Sequence, residues 1–252
     1  MSTKHWKSYD MVINGLPQKV RYNEDTVKQL FLPLLKKLTE LQQKEQRRVM
    51  AFLAAPPATG KSTLLQFLEQ LSKEQNGIQE VQSLGMDGFH YPNVYLETHS
   101  IERDGAEISL RSIKGAPETF DVSGLREKIQ EAKQGTSLWP VYDRKIHNPV
   151  PDALEVNGDI LLVEGNWLLL GEPQWRDLHE LADYTMSIKV APELLKDRLI
   201  KRKIQGGLSE AEAVKFYETS DRLNVERILN NTVPADEEWQ MLEDGDFVRL
   251  EK

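Results

Sequence analysis

The segment from Val49 to Leu71 constrains this chain more than any other. Val49 to Ala55 is a continuous apolar run of strand length, the pattern of a strand buried on both faces. Ser62 to Leu71 places Leu64, Leu65, Phe67, Leu68 and Leu71 at three- and four-residue steps, the stripe of an amphipathic helix. Between them stands Ala55-Pro56-Pro57-Ala58-Thr59-Gly60-Lys61-Ser62. Its last three residues match the phosphate-loop pattern G-x-x-x-x-G-K-[ST], with Ala55 in place of the first glycine. Such a loop turns successive backbone N–H groups toward phosphate oxygens at a helix N-terminus, adds a lysine charge and offers a hydroxyl to a divalent cation. Pro56 and Pro57 carry no N–H, but every residue from Ala58 to Ser62 keeps one. The tripeptide alone arises by chance in roughly one chain in ten of this length. The strand before it and the helix after it give it weight. Ala58, Thr59, Gly60, Lys61, Ser62 and Thr63 are therefore the expected nucleotide-binding residues.

The rest of the chain alternates in the same way. Val81 to Met86, Ile160 to Val163 and Tyr184 to Val190 read as strands, and Val122 to Ala132, Glu193 to Ile204 and Ser209 to Leu229 as helices. Strands alternating with helices predict an α/β fold with a mostly parallel sheet flanked by helices. Residues 1–48 differ. Asn14-Gly15 between short apolar runs predicts a hairpin, and Val27, Leu30, Phe31, Leu34, Leu35, Leu38 and Leu41 predict a helix that Pro33 kinks or divides. This unit is too small to bury its own stripe. It is expected as an extension packed on a core of residues 49–252, and a homodimer contact through it stays open.

Composition excludes whole classes. The 252 residues contain no cysteine, which removes disulfides, thiolate metal sites and cysteine nucleophiles. Acidic residues outnumber basic ones, 40 to 32, so the net charge is −8 and a nucleic-acid partner is not expected. No apolar run approaches the ~18 residues that span a bilayer. A cytoplasmic chain with no membrane partner is the expectation.

Two carboxylates close predicted core strands. Asp87 follows Met86 in Met86-Asp87-Gly88-Phe89-His90-Tyr91-Pro92-Asn93, and Glu164 follows Val163 in Val163-Glu164-Gly165-Asn166. Ligands of open parallel sheets bind outside the carboxyl ends of the strands, so both acids are expected near the phosphate loop. Phosphoryl transfer offers them two tasks: metal ligation and relieving an acceptor hydroxyl of its proton. The competing reading of Asp87-Gly88 is a simple turn pair.

Together these motifs resemble the phosphoribulokinase/uridine kinase family of P-loop kinases, over about Val49 to Ile228. Met86 to Asn93 is similar to the pantothenate-kinase segment that carries the catalytic aspartate. Val141-Tyr142-Asp143 with His147 is similar to the uridine-kinase segment that holds the acceptor, and Phe120-Asp121 resembles a second acceptor-site segment. The resemblance implies a P-loop NTPase fold with a helical lid, and transfer of the γ-phosphoryl of ATP, with Mg2+, to a hydroxyl of a small metabolite. It implies Asp87 as general base and Lys61 as a catalytic cation. Ser62 and Glu164 would serve the metal, and His90, Tyr91, Asp121, Tyr142 and His147 the acceptor. Arg198 and Arg202, four apart on one predicted helix face, fit either the lid arginines of such kinases or a solvated basic face. Arg103, Arg111 and Asn224 are further candidates near the acceptor. The acceptor itself stays open between a nucleoside, a pantothenate-like compound and a sugar or sugar acid. Outside the kinase class stand an ATPase or GTPase switch, for which the Asn/Thr-Lys-x-Asp guanine motif is missing, and a nucleotide sensor.

Overall fold

A computed structural model of the protein describes residues 4–13, 16–103 and 105–251. Strands β1 (Trp6–Ile13) and β2 (Leu16–Asn23) form an antiparallel hairpin, although its Asn14-Gly15 turn lies outside the described residues. Helix α1 (Glu24–Thr26) passes through a π-turn at Val27–Phe31 into α2 (Leu32–Glu45). Pro33 cannot donate the next helical hydrogen bond, and the wide turn before it lets the helix continue.

β3 (Val49–Ala54) leads through the phosphate loop into α3 (Lys61–Glu74), followed by β4 (Val81–Gly85). The strand predicted to reach Met86 stops one residue earlier, where Met86–Phe89 turns into a 3-10 helix. Next come α4 (Asn93–Thr98), the paired strands β5 (Ser100–Arg103) and β6 (Ala106–Ser109), and α5 (Val122–Gln134). A second hairpin follows, β7 (Ser137–Asp143) and β8 (Asn148–Val156), and then β9 (Ile160–Gly165) and β10 (Tyr184–Lys189). The chain ends in α6 (Pro192–Gln205), α7 (Glu210–Phe216), a π-turn at Tyr217–Asp221, α8 (Arg222–Asn231), β11 (Glu237–Met241) and β12 (Phe247–Arg249). The single helix expected from Ser209 to Leu229 is thus interrupted by the π-turn.

Six strands form the central sheet in the order β12-β11-β10-β3-β9-β4, parallel except for β12. Burial on both faces explains the unbroken apolar runs. In β3, Ala51 and Leu53 enter one core with α2 and α3, while Met50, Phe52 and Ala54 enter the other with α5 and Trp139. The N-terminal unit joins the first core. Tyr22 packs on Phe67 at 4.3 Å between ring centroids, and Phe31 stacks on Trp239 at 5.6 Å. Asp246 next to β12 accepts hydrogen bonds from Asn23 and Thr26, so buried polar groups also hold this unit. A third, smaller core of Leu96, Leu110, Ile113 and Ala116 supports the segment between α4 and α5.

Candidate active site

Strand register places the chemistry. β9 lies between β3 and β4, and Glu164 pairs with Leu53 on one side and Gly85 on the other. The phosphate loop leaves β3 directly after this level, and Asp87 sits two residues past Gly85. Three consecutive sheet positions therefore deliver the loop, Glu164 and Asp87 to one end of the sheet.

Within the loop, Thr59 Oγ1 donates to Pro56 O at 2.9 Å. Lys61, almost fully buried, donates to Pro56 O at 3.0 Å and to Asn166 Oδ1 at 2.6 Å. Its burial pushes the ammonium pKa down, against the pull of Glu164 and Asp87. Ala58 and Gly60 both have positive φ, 65° and 87°, whereas Ala55 is not among the positive-φ residues. The missing first glycine is thus not demanded by backbone conformation, and the strained alanine is Ala58. Thr63 lies half-buried in the first turn of α3.

Ser62 Oγ donates to Glu164 Oε1 at 2.5 Å. Burial raises the Glu164 pKa, opposed by Lys61. A hydroxyl and a half-buried carboxylate side by side are hard oxygen donors, the set that a divalent cation shared with phosphates prefers. No cluster of three or more His, Cys, Asp or Glu occurs among the described residues, so the protein would supply few of the cation's ligands.

Asp87 faces a cleft of about 150 Å³ whose lining includes Ser62, Gly88, Tyr142, Arg144 and Glu164. Arg144 Nη2 lies 3.7 Å from its carboxylate. Gly88 is required by close approach, because a Cβ there would stand 2.1 Å from Pro140 O. Trp139 fixes the same junction by donating to Gly85 O at 2.9 Å, and a bulge between Trp139 and Val141 carries Pro140.

His90 stacks on Phe120 at 3.8 Å and lies 5.4 Å from Tyr142. Burial drives its pKa down to about 4, so the ring is neutral near pH 7. Tyr91 stacks on Tyr95, which stacks on His99. Tyr142 is half-buried beside Lys114, with Nζ 5.1 Å from the ring centroid, and burial raises its phenol pKa. Asp121 stands at the N-cap of α5, where Oδ1 accepts from Gly124 N at 2.9 Å. His147 is exposed in a left-handed conformation, and its carbonyl, not its ring, accepts from Asn93 and Lys114.

Arg198 and Arg202 share a face of α6 but meet different neighbours. Arg198 Nη1 reaches Ala58 O at 3.5 Å and Met241 Sδ at 3.4 Å. Arg202 lies in the field of Asp221, Arg144 and Asp87, and desolvation there lowers its pKa. Asp221, at the end of the second π-turn, is buried, with its pKa raised by burial and pulled back by Lys203 and Arg202. Asn224 is buried one turn on. Arg103 instead donates to Glu118, which Arg227 also engages.

Sequence reasoning missed Lys114, Arg144, Asn93 and Asn166. Asn166 had a signal, two residues after Glu164 at a strand end. Lys114 lies within the insertion-like stretch Ile101 to Pro117 that Arg103 and Arg111 mark as a candidate cover for the acceptor, but nothing in the sequence singled out this residue.

Comparison with known proteins agrees with this geometry. The chain is 41% identical over 239 residues to the uncharacterized protein YggC of Escherichia coli, spanning 94% of this chain and 97% of that one. It is 32% identical over 206 residues to a Schizosaccharomyces pombe protein named "Putative uridine kinase", spanning 79% and 86% respectively. A solved structure from Silicibacter, called a "putative fructose transport system kinase", superposes with a TM-score of 0.69 at 31% identity, covering 80% of this chain and 98% of that one. No protein-family profile matches. The parallel sheet, the loop between β3 and α3 and these kinase relatives define a P-loop kinase that acts on a small molecule. The chain belongs to the phosphoribulokinase/uridine kinase family.

Proposed function

We propose that the protein transfers the γ-phosphoryl group of ATP to a hydroxyl of a small metabolite, with Asp87 as general base. The observation that supports this reading is the register of Glu164 against both Leu53 and Gly85, which brings the loop, Glu164 and Asp87 to one end of the sheet. The N–H groups of Ala58 to Ser62 and the start of α3, with Thr63, would cradle the phosphates. Lys61 would exchange its contacts to Pro56 O and Asn166 for phosphate oxygens. Ser62 and Glu164 would hold Mg2+, which when bound neutralises phosphate charge and orients the leaving group.

Asp87 is the base best placed for an incoming hydroxyl. It sits at the cleft, partly solvated, while Arg144 keeps a positive charge 3.7 Å away. His90 and Tyr142 would line the acceptor side with Tyr91 behind them; Asp121 and His147 would contribute there by fixing backbone. Arg202 would face the transferred group, and Arg198 would brace the loop at Ala58. The chain carries no helix long and apolar enough to cross a membrane among its described residues, and cytoplasmic operation is part of this proposal.

The test is an ADP-release screen over nucleoside, pantothenate-like, sugar and sugar-acid alcohols with wild type and Asp87→Asn. Acceptor-dependent release that Asp87→Asn abolishes, with ATP binding intact, supports the reading. Release that ignores both acceptor and Asp87 would reject it in favour of a nucleotide switch.

A further inference from the structure

Two cations converge on Asn93 beside Tyr142 of the cleft, with a single distant carboxylate between them. Lys114 Nζ donates to Asn93 Oδ1 at 2.7 Å and to His147 O at 2.9 Å. Arg111 Nη1 donates to the same Asn93 oxygen at 3.0 Å. Both hydrogen bonds to Asn93 end on a neutral amide. The acids nearby do little: Glu97 stands 3.8 Å from Arg111 Nε, and Asp87 acts on Lys114 only through space. Burial and Arg111 together push Lys114 down to about 8, so it still carries its charge at neutral pH.

The pair is held in place. Trp167 at the end of β9 donates to Gly115 O at 3.1 Å, and Thr119 Oγ1 accepts from Gly115 N at 3.1 Å. Asn93 is itself clamped, its N–H on Asn148 Oδ1 at 2.9 Å and its Nδ2 on His147 O at 3.0 Å. Leu110 and Ile113 sit in the small core beneath. Fixing like charges around one amide oxygen costs free energy that a bound anion recovers. Tyr142 connects this pair to the reaction centre, because Lys114 lies over its ring and Asp87 and Arg111 both act on its phenol.

We propose that the acceptor is an anionic alcohol, bound through a carboxylate or phosphate ester by Lys114 and Arg111 while its hydroxyl faces Asp87. This rests on the kinase reading above. In the step, the hydroxyl oxygen forms a bond to the γ-phosphorus and its proton passes to Asp87. The bond from the γ-phosphorus to the β–γ bridging oxygen breaks, and ADP leaves with the electron pair. A neutral alcohol of equal length leaves Lys114 without an anionic partner and Arg111 with only the 3.8 Å contact to Glu97, and is discriminated against on binding.

The test uses matched acceptors: glycerate with glycerol, ribulose 5-phosphate with ribulose, and uridine. At least one anionic member is expected to outpace its neutral counterpart in kcat/KM, and the pair that does so tells carboxylate from phosphate. With that acceptor, Lys114→Met and Arg111→Gln each raise its KM by roughly 10- to 100-fold. The KM for ATP stays unchanged, and thermal melting controls for folding. Neutral acceptors used as well as anionic ones overturn the proposal and leave the kinase reading intact, as does an unchanged acceptor KM in both variants. If no alcohol of either kind is phosphorylated, both fall.

Discussion

The two walls of the cleft are built by different means. The nucleotide wall hangs on paired strand ends: Ser62 meets Glu164 at 2.5 Å and Lys61 meets Asn166 at 2.6 Å, all at or just beyond β3 and β9. The acceptor wall hangs on additions to the sheet, namely a 3-10 turn, the six-residue α4, the β7–β8 hairpin and the segment around Lys114. Its contacts join side chains both to backbone, as in Asn93 and Lys114 on His147 O, and to one another, as in Lys114 and Arg111 on Asn93 Oδ1. On the proposed reading, steps common to all phosphoryl transfers sit on the rigid sheet, and selectivity sits on parts that can vary without disturbing it.

The largest expected effect breaks the cleft at the point where the walls meet. Asp87→Asn should lower kcat by roughly 10²–10⁴-fold while the melting temperature and ATP affinity hold, as stopped assays and nucleotide titration would show. Its carboxylate is 40% exposed, so its removal has little folding cost. Arg202→Ala comes next, with kcat down roughly 10- to 100-fold at little change in ATP affinity. Unchanged turnover would return Arg202 to a solvated basic face. Arg198→Ala, whose contact is to the loop at Ala58, should act on KM for ATP instead.

The same division explains what could be read from the residues. β3 and β9 announced themselves as apolar runs, because burial on both faces leaves no polar alternation to blur them, whereas β11, Glu-Glu-Trp-Gln-Met, carries too many polar residues to read as a core strand and was missed. Asp87 and Glu164 were legible because a parallel sheet sends its ligands to strand ends. The β7–β8 hairpin was not, since Val141, Tyr142 and Asp143 share a short strand with Pro140 at a bulge. Lys114 and Asn93 become partners only through contacts 21 positions apart in the chain. The interruption of the last helices at Tyr217–Asp221 has no local signal of the kind Pro33 gives the first.

Gly88→Ala tests the junction itself. A methyl group 2.1 Å from Pro140 O must push the β7–β8 hairpin away, at a cost of about 2 kcal/mol in urea unfolding. KM for the acceptor should rise more than KM for ATP; an equal rise would mean that the two walls move together. His90 gives a pH-dependent version. Its folded pKa of about 4 lies below the ordinary 6.5, so the unfolded chain binds the extra proton first. Its contribution to stability is complete above about pH 6.5 and is lost as pH falls toward 4. The ring is only half-buried, so about 1–2 kcal/mol should vanish across that window. His90→Phe, which keeps the stack on Phe120, should flatten this part of the stability profile.

The smallest effect separates two alanines of the nucleotide wall. Ala55 occupies the position where the loop pattern has glycine, and it needs none, because its φ is not positive. Ala58 occupies a variable position and holds φ at 65°, a left-handed conformation that costs an L-residue about 1 kcal/mol. Pro56 and Pro57 immediately before it restrict the entry to the loop. Ala58→Gly removes the Cβ strain but frees the unfolded chain, so the two effects oppose each other. Strain is the larger at this φ, and the variant should gain up to about 1 kcal/mol in unfolding free energy. The gain should be accompanied by a weaker hold on ATP, since the N–H of residue 58 then has more orientations to lose on binding. Ala55→Gly relieves no strain and should only destabilise. A variant pair behaving the opposite way would move the strained point of the loop back to its first position.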